Sequence, residues 1–522
     1  MPPDFRVRAF FDILKQKKML NFQNKKVAVL GYGVEGQSGV KWLLKKKAKV
    51  TICDQNPDKY RFTHPEGVQW RVGKNYLKNL EGFDIIVRSP GVPYLTEEIQ
   101  QAQKKGVKIT SATNLFFDLC PAKIIGVTGT KGKGTTTSLI AAILNESGKK
   151  VKLLGNIGQP MLDQLPKIKK SDWVVLELSS FQLQDLHKSP HIAVVLDIKE
   201  DHLDHHKNRR EYVQAKENIV RHQTANDFAV VNADYFTSFS FAAASKAKTF
   251  FFSRRKLMEE GAWWKWSREP ALATLIISPD GEQRTENRGQ KTEKFPSSDF
   301  RHPSSVIRHP FSVLRFEDRG FLEARPGFAR RKTEKEIIKT NDLHLRGLHN
   351  LENIAAAALA SYLAGAQIRA MQKILKNFKG LEHRLELVRE LNGVKFYNDS
   401  IATTPEAGIA SLNAFFEPII LIAGGSEKKA NYQKLGRKVA QKCQAAILIG
   451  QTASRIKKAI PKSKSLKIIT GLTKMSEIVK TAYQLAKKGD VILLAPASAS
   501  FDMFKDYKDR GEQFKEEVSG LR

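Results

Sequence analysis

The stretch GVTGTKGKGTTTSLI, residues 126–140, decides how the middle of this 522-residue chain is read. An apolar run precedes it and helix-forming residues follow, so it reads as strand, glycine-rich turn and helix. Gly129, Gly132 and Gly134 let the backbone turn tightly and aim several amides inward, and a helix beginning near Thr135 adds its positive end. Lys133 is placed to reach outer phosphates, and Thr135 or Thr136 to offer a hydroxyl to Mg2+. The strict pattern G-x-x-x-x-G-K-[ST] fails where Val127 and Gly134 stand, so the loop is a variant phosphate cradle.

A second glycine loop lies upstream. VAVL, then Gly31, Gly33 and Gly36 in G-x-G-x-x-G spacing, then the helical SGVKWLL and the strand KVTICD ending in Asp54, make an opening βαβ unit. Alone this predicts a dinucleotide site with Asp54 at a ribose. DIIVRSPGVP follows as another strand with a turn at Ser89, Pro90 and Gly91. Two phosphate-type loops on one chain imply two nucleotides in separate domains.

The length suggests roughly three or four domains. Cys53, Cys120 and Cys443 are odd in number and far apart, which offers neither a disulfide framework nor metal-ligand spacing. No run approaches the ~18 apolar residues that span a bilayer. The N-terminal stretch is basic and mildly amphipathic without the apolar block of a signal peptide, so the expectation is a soluble, cytoplasmic protein without membrane insertion. Net charge is +33, from 87 Lys+Arg against 54 Asp+Glu. The lysines are scattered over helical faces, with no recognition helix, zinc pattern or RNP-like strand beside them. Solvated faces therefore explain the charge, and no nucleic-acid partner is expected.

Beyond the middle loop, strands alternate with helices. WVVLELSSFQL (173–183) brings Glu177 to a strand end, and IAVVLDI (192–198) delivers KEDHLDHH in the same way. Parallel strands present their C-terminal ends to ligands, so Glu177, Asp201, His202, Asp204, His205 and His206 are candidates for one site. Carboxylates there suit a hard cation such as Mg2+. Residues 253–340 change character, being rich in Arg, Pro, Ser and Gly with a repeated R-H-P unit at 301–303 and 308–310. They read as a partly disordered insertion. From 381 onward GVKFYNDSIATTPEAGIASL, PIILIAGGSEKKANYQKL, AAILIG and DVILLAPASASFDMFKDYKDRGEQF describe a third α/β domain.

The residues together carry a family resemblance. GTKGKGTTT, SPGVP, NIG (156–158), ELSSFQL, DHLDHH with AKENIV, GLHNLEN, GLEHRLE, NDSIATTP, AGGSEKKANY and the C-terminal LLAPASASFDMFKDYKDRGEQF occur in the order seen in the Mur ligases. From about residue 26 to the C-terminus, outside 253–340, the chain resembles that family. ELSSFQL and the last two motifs point to its D-glutamate-adding branch. The resemblance implies an α/β protein of three domains. These are a Rossmann-like UDP-sugar domain (1–111), a central P-loop ATPase-type domain with a parallel sheet (112–380) and a Rossmann-like amino-acid domain (381–522). It also implies the substrates ATP, UDP-N-acetylmuramoyl-L-alanine and D-glutamate, two Mg2+ ions, and a monomer.

Site roles follow from the same resemblance. Gly31, Tyr32, Gly33, Val34, Glu35, Gly36 and onward to Ser38, with Asp54, Ser89, Pro90 and Gly91, would hold the UDP sugar, with Asn156, Ser180 and Gln182 also on the substrate. Gly129, Thr130, Lys131, Gly132, Lys133, Gly134, Thr135 and Thr136 would wrap the ATP phosphates. Thr135 and Glu177 would bind one Mg2+, and His202 with Lys216 the second. In the family that lysine is carbamylated, which turns a cation into an oxygen ligand. Asn350 and Asn353 would lie near adenine, and Arg384 and Asp399 would reach ATP. Thr403, Lys428, Ser500 and Phe501 match positions that hold D-glutamate, and a lysine facing a carboxylate is sound electrostatics.

Three departures bear on amino-acid preference: Ile401 where the family often has lysine, Lys131 where asparagine is common, and Ser426 with Glu427 in place of Asp-Gly. Another acidic amino acid such as L-glutamate is therefore the alternative substrate. A Rossmann oxidoreductase would leave the 129–136 loop and the third domain unexplained. A basic nucleic-acid-binding ATPase would account for the charge alone.

Overall fold

The computed structural model describes residues 21–522 apart from 59, 61–64, 157–158, 200–205, 256–260, 267–272, 279–333, 346, 428–429 and 462–465. Three sheets are built in chain order. The first holds β1 (Lys26–Leu30), β2 (Lys49–Asp54), β3 (Val68–Val72), β4 (Ile85–Arg88) and β5 (Lys108–Ser111). They are all parallel in the order β3-β2-β1-β4-β5. Helices cover both faces of such a sheet, which is why β1 and β4 are apolar runs and not alternating ones. Strand order reverses between β1 and β4, so the loop after β1 opens at the switch point where ligands bind.

The central sheet holds β6 (Lys123–Thr128), β7 (Val151–Gly155), β8 (Trp173–Glu177), β9 (Ile192–Val195), β10 (Phe228–Asn232) and β11 (Lys248–Ser253). It continues through β12 (Gly261–Trp266), β13 (Ala273–Ser278) and β14 (Lys335–Lys339). The order is β14-β13-β12-β11-β10-β9-β6-β8-β7, parallel through β12 and antiparallel at the β12–β13 and β13–β14 pairs. β6 thus sits between β8 and β9, and the helix Lys133–Glu146 leaves its C-terminal end. The Ala-rich helix Leu348–Leu363 packs against that helix and against the β10–β12 side of the sheet. Its small side chains permit close approach of the two helices.

The stretch 253–340, read as one insertion, is not uniform. β12, β13 and β14 come from within it and complete the central sheet. Trp264 is buried, and its indole N–H donates to the Leu351 carbonyl at 2.8 Å. GAWWKW and ATLIIS are short and set among Arg-, Pro- and Ser-rich neighbours, so their strand character was masked in composition. The R-H-P repeats lie outside the described residues.

The third sheet holds β15 (Glu386–Leu391), β16 (Val394–Asn398), β17 (Ile419–Gly424), β18 (Cys443–Ile449), β19 (Lys467–Thr470) and β20 (Val491–Leu494), in the order β15-β16-β20-β17-β18-β19. Only the edge strand β15 is antiparallel to its neighbour. Among the described residues no helix is long and apolar enough to cross a membrane.

Candidate active site

The glycine loop after β1 and the turn after β4 form one wall of a cleft of about 470 Å³. Gly31 to Gly36, Asp54 and Ser89 to Gly91 all line it, and the central domain supplies Asn156, Phe181 and Gln182 from the other side. Gly36 has no alternative here, because an added Cβ would lie 2.0 Å from the Gly31 carbonyl oxygen. Asp54 lines the cleft with both oxygens engaged: one accepts the Tyr32 amide at 2.6 Å and the other the Asn56 amide at 2.8 Å. These bonds also hold the loop in shape.

Two polar ties cross between the domains. Gln182 Nε2 donates to Glu35 Oε1 at 2.7 Å. Arg88, fully buried at the end of β4, pairs with Asp185 at 2.9 Å and donates to the Val92 and Phe181 carbonyls, each at 2.8 Å. Arg88 and Asp185 were not singled out in the sequence; the signal was an arginine ending an otherwise apolar strand. Ser180 lies behind the cleft, where its hydroxyl meets His206 Nε2 at 2.9 Å. His206 also contacts Glu211 at 2.6 Å and stacks on Phe181. It is thereby a buried structural histidine. His202 and the rest of residues 201–205 lie outside the described residues.

The second loop sits between β6 and its helix. Gly132 has φ +86°, and an added Cβ would come within 2.2 Å of Asn353 Oδ1. This close approach locks the loop to the helix that carries Asn353 and Asn350, whose side chains hydrogen-bond each other at 2.9 Å. Thr136 donates to Asn353 at 3.4 Å. Lys133 Nζ turns back on the Gly129 and Thr130 carbonyls, each at 3.1 Å. Lys216 Nζ donates to the same Gly129 carbonyl at 3.0 Å. Lys216 is 2 % exposed, so it is no surface lysine. Two ammonium groups converging on one carbonyl make a site that attracts anions strongly.

Glu177 ends β8 with its carboxylate buried. Asn156 Nδ2 donates to its Oε1 at 3.1 Å, and its Oε2 lies 3.2 Å from where a Cβ on Gly134 would be. No cation among the described residues pairs with it. A buried carboxylate over Gly134, at the start of the helix that follows the second loop, fits a hard divalent ion. Lys216 as an ammonium does not fit one, whereas a carbamate on it would.

Arg384 approaches from the third domain. Its charge, with those of Lys131 and Arg254, acts on His349, and burial with these cations holds that imidazole down to about 4. Asp399 is buried at the end of β16, where burial pushes its carboxyl up although the Leu385 amide (3.1 Å) and the Ser411 hydroxyl bond to it. It shapes the turn that presents Arg384. Thr403 and Ser500 sit on neighbouring turns stitched by Arg510, which donates to the Ser400 hydroxyl and carbonyl, each at 2.9 Å, and to the Ser498 and Ala499 carbonyls. Arg510 is fully buried, and that burial lowers its guanidinium to about 10. It was missed as a site residue although DRGEQF was noted as a motif. Phe501 is 72 % exposed, and Lys428 lies outside the described residues.

The fold and the two coupled loops define a nucleotide-dependent α/β enzyme of three domains. The chain matches the Mur ligase MurD-like N-terminal domain over residues 25–111, the Mur ligase middle domain over 127–271 and the Mur ligase glutamate ligase domain over 383–498. It is 40% identical over 510 residues to the UDP-N-acetylmuramoylalanine--D-glutamate ligase of Acetivibrio thermocellus, spanning 96% of this chain and 97% of that protein. To the ligase of that name from Symbiobacterium thermophilum it is 37% identical over 503 residues, spanning 95% and 98%. The structure of UDP-N-acetylmuramate-alanine ligase from Thermotoga maritima has the same fold, with a TM-score of 0.52 at 16% identity, covering 96% of this chain and 100% of that one. The chain belongs to the Mur ligase family.

Proposed function

We propose that the protein joins the amine of D-glutamate to the terminal carboxylate of UDP-N-acetylmuramoyl-L-alanine at the expense of ATP, as a cytoplasmic monomer in peptidoglycan precursor synthesis. The observation that carries this reading is Asn156. It lines the nucleotide-sugar cleft and its amide donates to Glu177, whose other oxygen overlies the phosphate loop. A substrate lying in the cleft has its far end delivered to the γ-phosphate. The full-length relatives that carry the D-glutamate ligase name support the choice of substrates.

A carboxylate resists attack by an amine because oxide is a poor leaving group. In this reading its oxygen attacks the γ-phosphorus, ADP leaves, and the acyl phosphate offers phosphate as leaving group. The D-glutamate nitrogen then attacks the carbonyl carbon, loses a proton, and the tetrahedral species expels phosphate. The protein's task is positioning and charge neutralisation. Lys133 swings from its loop carbonyls onto the transferring phosphoryl group, and the loop amides hold the β-phosphate. Thr135 and Glu177 would hold one Mg2+; His202 and a carbamylated Lys216 would hold another. These ions would supply neutralisation of phosphate charge. Arg384 closes over the nucleotide from the third domain. Thr403, Lys428, Ser500 and Phe501 form the amino-acid end, steadied by Arg510.

The test is phosphate release from ATP with UDP-N-acetylmuramoyl-L-alanine, Mg2+ and bicarbonate, offering D-Glu, L-Glu, D-Asp, L-Ala or none, with the product weighed by mass spectrometry. One ADP per amide with D-Glu alone is expected. Turnover with L-Glu in its place would retain the chemistry and overturn the assignment of the amino acid.

A further inference from the structure

Glu352 lies in the Ala-rich helix Leu348–Leu363, one residue before Asn353. Successive helical residues point about 100° apart, so the two side chains leave the helix on different faces. Asn353 faces the phosphate loop: its Oδ1 is 2.2 Å from where a Cβ on Gly132 would be, and it accepts the Thr136 hydroxyl at 3.4 Å. Glu352 faces the C-terminal ends of β10 and β11. Its Oε1 accepts the Tyr235 hydroxyl at 2.9 Å and Arg254 Nε at 3.1 Å, and its Oε2 accepts Asn232 Nδ2 at 3.2 Å. These partners are held in turn. Asp234 accepts the Ser253 hydroxyl at 2.6 Å and the Arg254 amide at 2.8 Å, and Asn232 Oδ1 accepts the Asp234 amide at 2.9 Å. Glu352 is buried, so water competes little for its bonds.

We propose that Glu352 is a positioning residue for ATP: it sets the rotation of this helix and thereby the seat of Asn353 against the phosphate loop. The inference rests on the ATP reading of the 129–136 loop. Shape alone sets that rotation weakly, because Ala355 to Ala358 and Ala360 are buried along the helix and small side chains interlock little. The Trp264 indole, donating to the Leu351 carbonyl at 2.8 Å, holds the backbone close to the helix axis. A side chain that reaches outward to two strand ends has the longer lever. The fit it controls is narrow. Asn353 stands where a methyl group on Gly132 would be, so rotation one way drives it into the loop and rotation the other way withdraws it.

Glu352→Ala should raise the Kd of the full-length protein for MgADP about tenfold in calorimetric titration, the scale of losing hydrogen bonds to a charged group. In the phosphate-release assay the KM for ATP should rise in step. There kcat and the KM for UDP-N-acetylmuramoyl-L-alanine should stay within about twofold, the signature of lost ground-state binding. Glu352→Gln keeps an acceptor for Tyr235 and Arg254 and should restore most of the affinity. Because Glu352 acts through Asn353, Glu352→Ala should add less than about twofold once Asn353→Ala is in place. Tyr235→Phe removes one donor and keeps the ring. It should raise the Kd about threefold in wild type and leave it level in Asn353→Ala, and it carries the test where Glu352→Ala does not fold. Additive losses in the double variants, or equal rises in the KM for ATP and for the UDP sugar, would overturn the role of Glu352 alone. No binding of MgADP to wild type would overturn the ATP assignment of the loop with it.

Discussion

The loops at 31–36 and 129–134 share strand, glycine turn and helix, yet they are built for different work. The first carries no basic side chain; its charged residues are Glu35, tied to Gln182, and the neighbouring Asp54, which pins the Tyr32 amide. The second carries Lys131 and Lys133 and receives Lys216 from another helix. A ligand that is only held needs shape and fixed dipoles. A phosphoryl group in transit gathers charge that must be met by cations able to move, which explains lysines parked on loop carbonyls. On the proposed function one element is a grip and the other an engine, and surrounding side chains make the difference.

The comparison breaks most sharply at Lys133. Lys133→Ala should lower kcat by about 10³-fold, the scale of losing a charge-stabilising donor in the transition state, while binding of the UDP sugar is unchanged. Parallel loss of UDP-sugar binding would mean that the loops are not separate in function.

The next test separates the grip from the domain interface. Asp185→Asn leaves Arg88 buried without its counter-charge and should cost about 3–5 kcal/mol of stability, the usual range for a broken buried pair. Urea denaturation measures it. A change under 1 kcal/mol would show that the carbonyls of Val92 and Phe181 suffice for Arg88.

Gly36→Ala should raise the KM for the UDP sugar about tenfold, since its Cβ would push the Gly31 carbonyl out of the loop, with the KM for ATP unmoved. Gly132→Ala should do the reverse.

The smallest expected effect concerns His349, held at about 4 by burial and three cations. Bound polyphosphate offsets those cations and raises that pKa toward 6.5, so ATP binding should take up a fraction of a proton between these values and tighten as pH falls through them. Calorimetry at pH 5.5 in buffers of different ionisation heat would detect it, and His349→Asn should abolish it.

Much of this was legible in residue order. Strand–glycine–helix stretches gave both loops, because glycine positions and apolar runs are local signals. GTKGKGTTT, ELSSFQL and the C-terminal motif carried the family. The strands at 261–266 and 273–278 were not legible, because a six-residue apolar strand beside Arg- and Pro-rich sequence has no period long enough to stand out. Arg88 and Arg510 were missed for another reason. An arginine in sequence looks like solvent-facing charge, and only packing shows one sealed under 0–1 % exposure against carbonyls from distant turns.

The sequence by itself determined that two strand–glycine–helix loops exist, that a strand ends at Glu177, and that three α/β domains follow one another. Tertiary structure decided that Asn156 joins the loops, that Asp54 serves the backbone, that Lys216 is buried beneath Gly129, and that Glu35 has one oxygen engaged and one without a partner. The reason is range. Turns and periods are set by neighbours in the chain, whereas charge, burial and hydrogen-bond satisfaction depend on residues far apart in it, 147 positions for Glu35 and Gln182 and 217 for Thr136 and Asn353.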